Sequence, residues 1–322
     1  LTFIPNLSIF STTMRPIRPP ALRKGDVIGV CAPASPPLRD GDLQKGIAYL
    51  EGLGYRVEPG RNLHKKDGYL AGSDEGRAAD LNRFFRDRKV RAIISIRGGY
   101  GSMRILNMLD YRAVRNDPKI FVGYSDLTAV SLALFARCGL VTFAGPMVAA
   151  GMARGLKPAE EELFWRMLTS TRPLGALPTP AKPLFGGNAS GVLLGGNLSI
   201  VSRLAGTPHL PPLRNAILVL EEVGERPYRV DRMLQQLRLA RSLDGVRGVV
   251  LGEFTDCRPE EGKPSLTLRR IFKDMFAGLD SPVLTGVRHG HVSGSLTLPI
   301  GLRVTIRAGK RSSVTFPGSA VV

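Results

Sequence analysis

From position 26 the chain repeats one pattern: a short β-rich apolar run, a Gly/Pro break, then a stretch with helical spacing. Residues 26–31 (DVIGVC), 90–96, 120–123 and 141–143 read as strands. Residues 42–53, 74–86, 102–109 and 127–136 read as the helices between them. Such alternation predicts a mostly parallel sheet with helices on both faces. A length of 322 residues exceeds one comfortable core, so two domains are expected. Residues 21–150 form the expected N-terminal α/β domain. Residues 151–187 read as a linker, with one helix over 158–168 and prolines at 173, 178, 180 and 183. Residues 188–322 then form a second, mixed α/β domain. Residues 1–20, interrupted by four prolines, are expected to be a poorly ordered arm, and Met14 offers an alternative start that would leave 1–13 outside the native protein.

The net charge of +18 raises the question of a nucleic-acid partner. Its distribution argues against one: residues 1–150 hold 22 basic and 13 acidic groups, residues 151–322 hold 23 and 14, so each part contributes +9. The excess is chain-wide and suits attraction of an acidic small substrate. No apolar run approaches the ~20 residues needed to cross a bilayer, so no membrane partner and a cytoplasmic location are expected. Cys31, Cys138 and Cys257 lie far apart with no CxxC, which speaks against a disulfide scaffold or a cysteine-rich metal site.

Three segments carry possible chemistry. In 119–136 (KIFVGYSDLTAVSLALFA) an apolar strand runs into Gly-Tyr-Ser-Asp and a helix begins at once. Ser125 there is either an N-cap or a nucleophile pushed out at the sheet's carboxyl edge. The amide of Asp126 sits at the helix start, where it can donate to a developing oxyanion. In 218–234 (LVLEEVGERPYRVDRML) Glu221 and Glu222 end an apolar strand, and a carboxylate in that position can orient a histidine. The charged residues Glu222, Glu225, Arg226, Arg229, Asp231 and Arg232 otherwise read as surface ion pairs. In 286–301 (GVRHGHVSGSLTLPIG) His289 and His291 flank Gly290, and an imidazole there can take a serine proton. The His-Gly-His spacing without a nearby acid makes a poor metal site. His64 and His209 have no comparable setting. The IRGGYG stretch at 96–101 is too incomplete for a dinucleotide fingerprint, and Gly195-Gly196-Asn197 reads as a close-approach turn or a tight helix entry.

Taken in order, GDVIGVCAPAS, IRGGYG, GYSDLTA, FAGPM, GGNLS, LEEVGERPYRVDRML and GHVSGSLTLPIG resemble the serine L,D-carboxypeptidases, the family of the muramoyl-tetrapeptide carboxypeptidase and its microcin-immunity relatives. The resemblance spans about 22–306. It implies a flavodoxin-like parallel-sheet N-terminal domain plus a smaller mixed α/β C-terminal domain. It also implies a Ser–Glu–His triad of Ser125 as nucleophile, Glu221 as orienting acid and His291 as base, with His289 second in rank. Backbone groups of Gly99 (or Gly98) and Asp126 would line the oxyanion hole. The implied reaction is metal- and cofactor-free hydrolysis of the bond between meso-diaminopimelate and terminal D-alanine in murein tetrapeptides, by an enzyme that is often a homodimer. Cleavage of peptide–nucleotide antibiotic conjugates is the alternative within the family. A non-catalytic nucleotide-binding protein using the IRGGYG loop is the alternative outside it.

Overall fold

The computed structural model describes residues 15–322. Two sheets organise them. In the first, β1 (Val27–Cys31), β2 (Arg56–Pro59), β3 (Val90–Ser95), β4 (Ile120–Val122) and β5 (Thr142–Ala144) are mutually parallel. Their spatial order is β2-β1-β3-β4-β5, the flavodoxin-like order, and a sixth strand, Leu298–Ile300, adds antiparallel to β5. The inner strands β1, β3 and β4 are apolar except at the exposed Arg91 and the buried Ser95 of β3, because helices cover both their faces. Helices α1 (Asp42–Gly52), α2 (Asp74–Arg86), α3 (Tyr111–Asn116) and α4 (Thr128–Cys138) form those layers. The stretch expected as a helix over 102–109 is a 3-10 segment, Ser102–Met108.

The second sheet has eight strands and is mixed. Its centre is parallel, Gly187–Asn197, Ala216–Val223, Gly248–Thr255 and Val283–Thr285, and its margins are antiparallel. The region expected as a linker contributes structure of its own: helix α5 (Pro158–Thr169), then Gly175–Ala176 and Lys182–Phe185 at the two opposite edges of this sheet. The prolines there end elements rather than preventing them; Pro183 lies in an edge strand, where a missing N–H is tolerated.

The expected arm is corrected for the residues described. Ile17 bonds through its N–H to Gly139 O at 2.7 Å and receives Val141 N at 2.8 Å, while Pro19 O accepts Val322 N at 2.9 Å. Backbone pairing with the segment after α4 and with the last residue holds this stretch in place. The stretch 1–13 and the alternative start Met14 lie outside the described residues.

One connection matters most for function. The chain leaves the second sheet at Val283–Thr285, passes through the His-Gly-His loop, and joins the first sheet at Leu298–Ile300. That loop is thereby anchored to both sheets.

Candidate functional site

Ser125 follows β4 through Gly123-Tyr124 and starts a short 3-10 turn, Ser125–Leu127, that leads into α4. Its φ of 63° lies in the left-handed region, a strained conformation for a non-glycine residue that presents the side chain outward from the sheet's end. The hydroxyl caps no helix amide. It lies 3.0 Å from His291 Nε2, and His291 Nδ1 lies 2.8 Å from Glu221 Oε2. Since a carboxylate only accepts, Nδ1 carries the proton; neutral His291 then accepts from Ser125 through Nε2. The structure therefore joins Ser125, His291 and Glu221 in one hydrogen-bonded line, drawn from the turn after β4, the loop 286–297 and the strand Ala216–Val223.

The electrostatics follow from burial. Desolvation disfavours the imidazolium of His291, yet the hydrogen bond and charge of Glu221, with Glu222 adding to them, outweigh it and hold its pKa above the ordinary value. Tyr124, whose ring centre is 5.2 Å from that of His291, has its phenol pushed up to about 12 by burial first, then by the charges of Glu221 and Glu160.

Glu222 differs from the surface ion-pair member expected from the sequence. It is buried; its Oε1 accepts from Asn197 Nδ2 at 3.0 Å and Val223 N at 2.9 Å, and its Oε2 from Ser199 N at 2.7 Å. It thus closes the start of α6 (Leu198–Leu204). Alternation along a strand separates the two glutamates, one toward each face. Among the other charged residues of that segment, Glu225 and Arg229 do form an exposed pair at 3.3 Å.

His289 is buried and its Nδ1–H donates to Leu296 O at 2.8 Å. Burial lowers its pKa, and its carbonyl accepts Glu253 N at 2.8 Å. It fastens the loop that carries His291. Between them Gly290 has φ 127°, and a Cβ there would lie 2.9 Å from Glu221 Oε2, so only glycine lets the two histidines flank that carboxylate. His209 is buried on Asn107 Oδ1 at 2.9 Å, with burial lowering its pKa, and His64 is exposed. Among the described residues no cluster of three or more His, Cys, Asp or Glu has the arrangement of a metal site.

The IRGGYG loop packs on the serine. A Cβ on Gly98 would sit 2.9 Å from Ser125 Cβ and 3.2 Å from Asp126 N, whereas Gly99 abuts Ser35. Asp126 is buried, its carboxylate accepting Ser102 N at 2.8 Å, while Ser102 Oγ donates to Asp126 O at 2.7 Å. Burial raises its pKa despite those bonds.

Two supports of this loop escaped sequence reasoning. Ser35 Oγ accepts Tyr100 N at 3.1 Å, which ties the APAS turn to IRGGYG. Arg77, wholly buried in α2, donates to Pro33 O, to Gly101 O at 2.9 Å and to Asp74. The available signal was position: Arg77 shares its helix face with Leu81, Phe84 and Phe85.

A cavity of about 390 Å³ opens beside His291, lined also by Tyr124, Arg154, Lys157 and Glu160. Among the described residues no helix is long and apolar enough to cross a membrane.

A flavodoxin-like half bearing a strained serine and a second half bearing its imidazole and carboxylate define a two-domain serine-hydrolase architecture. Residues 28–145 match the LD-carboxypeptidase N-terminal domain and residues 190–306 the LD-carboxypeptidase C-terminal domain. The chain belongs to the LD-carboxypeptidase family and is an enzyme of the serine carboxypeptidase class. It is similar to the probable murein peptide carboxypeptidase of Bacillus subtilis, with 38% identity covering 94% of this chain and 95% of that protein. It also resembles the crystal structure of muramoyltetrapeptide carboxypeptidase from Oxalobacter formigenes (TM-score 0.81, 31% identity, 92% of this chain and 100% of that one). The structure of MccF in complex with glutamyl sulfamoyl guanosine is similar at TM-score 0.86 and 25% identity, covering 95% of this chain and 100% of that one.

Proposed function

We propose that this enzyme hydrolyses the L,D-peptide bond between meso-diaminopimelate and the terminal D-alanine of murein tetrapeptides, in the cytoplasm during cell-wall recycling. The observation that carries the reading is the line Ser125–His291–Glu221, with contacts of 3.0 and 2.8 Å. Ser125 Oγ attacks the carbonyl carbon of the diaminopimelate L-centre while His291 Nε2 takes its proton. The tetrahedral oxyanion is held by backbone N–H groups of Asp126 and Gly99, next to which Gly98 keeps the space clear. His291 returns the proton to the departing nitrogen, and D-alanine leaves. Water, deprotonated by the same imidazole, then releases the tripeptide from Ser125. Glu221 holds the Nδ1–H tautomer and stabilises the imidazolium.

Release of D-alanine from purified murein tetrapeptide by the wild type, persisting in the presence of chelator and abolished by Ser125→Ala, is the expected result. A folded wild type that releases none overturns the assignment. The likeness to MccF supports a second reading, cleavage of an aminoacyl or peptidyl nucleotide conjugate. Offering such a conjugate in the same assay distinguishes the two.

A further inference from the structure

Cleavage confined to the last bond of a peptide needs a group that recognises the chain's end, and the hydrogen-bonded line by itself supplies none. The cavity beside His291 does. Arg154 and Lys157 form part of its wall, and Glu160 is the one carboxylate in its lining. Among the described residues neither cation makes an ion pair. Arg154 is also close enough to Arg97 that, after burial, it is the neighbour that lowers that guanidinium's pKa. Glu160 offsets part of the charge of Lys157, but Arg154 faces Arg97, and an anionic ligand in the cavity relieves the repulsion between them.

Position supplies the second part of the argument. His291 must hand its proton to the departing amine, so the departing residue lies on the imidazole side of Ser125. The cavity is lined by His291 and by Tyr124, the neighbour of Ser125, so it opens where such a residue would sit. The charged group that a terminal alanine brings there is its free α-carboxylate. We propose, resting on the carboxypeptidase reading, that this cavity is the subsite of the leaving residue and that Arg154 and Lys157 bind its α-carboxylate, restricting hydrolysis to the chain's end. A volume of about 390 Å³ exceeds the needs of a methyl side chain, so the subsite selects for charge ahead of size.

The test compares steady-state hydrolysis of L-Ala-γ-D-Glu-meso-diaminopimelyl-D-alanine with that of its C-terminal amide, using wild type, Arg154→Gln, Lys157→Gln and Arg154→Lys. The wild type is expected to favour the acid over the amide by about 10- to 100-fold, the value of a charge-assisted contact. Each glutamine variant is expected to lose much of that preference through a raised KM, and Arg154→Lys to regain part of it. Equal cleavage of acid and amide by the wild type, or a preference unchanged in both glutamine variants, overturns the subsite while leaving the carboxypeptidase reading intact. A folded wild type that cleaves neither substrate overturns that reading and the subsite with it.

Discussion

Glu221 and Glu222 are adjacent in one strand, both buried, and serve opposite sides of it. Glu221 accepts the Nδ1–H of His291 at 2.8 Å, and Glu222 accepts Ser199 N at 2.7 Å at the mouth of α6. Burying two carboxylates side by side is costly, and each is compensated by its own donors. One holds the imidazole; the other holds the helix whose Asn197 N–H docks on Thr128 Oγ1 at 3.1 Å, at the start of α4.

The two glutamates therefore separate by substitution. Glu221→Gln is expected to lower kcat by about 10²- to 10⁴-fold, because the tautomer and the imidazolium lose their partner. Glu222→Gln is expected to cost about 1–3 kcal/mol of stability, because a buried acceptor of three N–H groups is weakened. Tetrapeptide kinetics beside urea denaturation checks both. Equal loss of activity with equal stability in the two variants contradicts this division.

With His291 as the base proposed above, its raised pKa is expected to set the acid limb of the rate profile. A general base must start as neutral imidazole, so on that proposal kcat/KM should climb with pH through a value above the ordinary 6.5. Removing the negative partner in Glu221→Gln moves that limb toward lower pH. The sign for folding is opposite to that for activity. The pair's stabilisation is complete below the unfolded pKa and is lost as pH rises through the raised folded value. A profile of kcat/KM from pH 5 to 9 for both proteins decides the first point, and melting temperatures over the same range decide the second.

Most strands and helices of the first half were legible, because buried parallel strands are short apolar runs and the helices between them carry a periodic face. The bond between Ser125 and His291 was not legible from spacing; the resemblance alone joined residues 166 positions apart. The apolar triplet at Leu298–Ile300 does not say which sheet it will enter, so its return to β5, which brings the histidine loop to the serine, had no local signal. The edge strands of 151–187 were hidden by prolines, and helix α3 by its six-residue length. Glu222 looked like a surface charge because neighbouring charges on the same segment are exposed.

Arg77 ties three segments together from inside α2, and its loss should be felt in both stability and rate. Arg77→Met keeps the volume but leaves Pro33 O and Gly101 O without their buried donor. A cost of about 2–4 kcal/mol is expected from two unsatisfied carbonyls. The turns bearing Ser35 and Gly99 would also loosen against Ser125, lowering kcat more than KM changes. Chemical denaturation with tetrapeptide kinetics tests this, and a variant as stable as wild type would show that Arg77 does not brace these loops.

Gly98 is the point where the IRGGYG loop touches the serine, and Gly98→Ala is the sharpest test of what that contact provides. The added methyl would meet Ser125 Cβ at 2.9 Å and Asp126 N at 3.2 Å, both closer than ordinary contact, so serine and loop must part. Hydrogen bonding to the developing oxyanion then weakens, and a fall in kcat of about 10²- to 10³-fold is expected. The hydroxyl itself remains beside His291, so a fluorophosphonate probe should still label Ser125, though more slowly. Stability should drop only modestly, because the site lies at the sheet's end, away from the packed centre. A Gly98→Ala enzyme with wild-type kcat would show that the loop can withdraw without cost, and that the oxyanion is held by other groups.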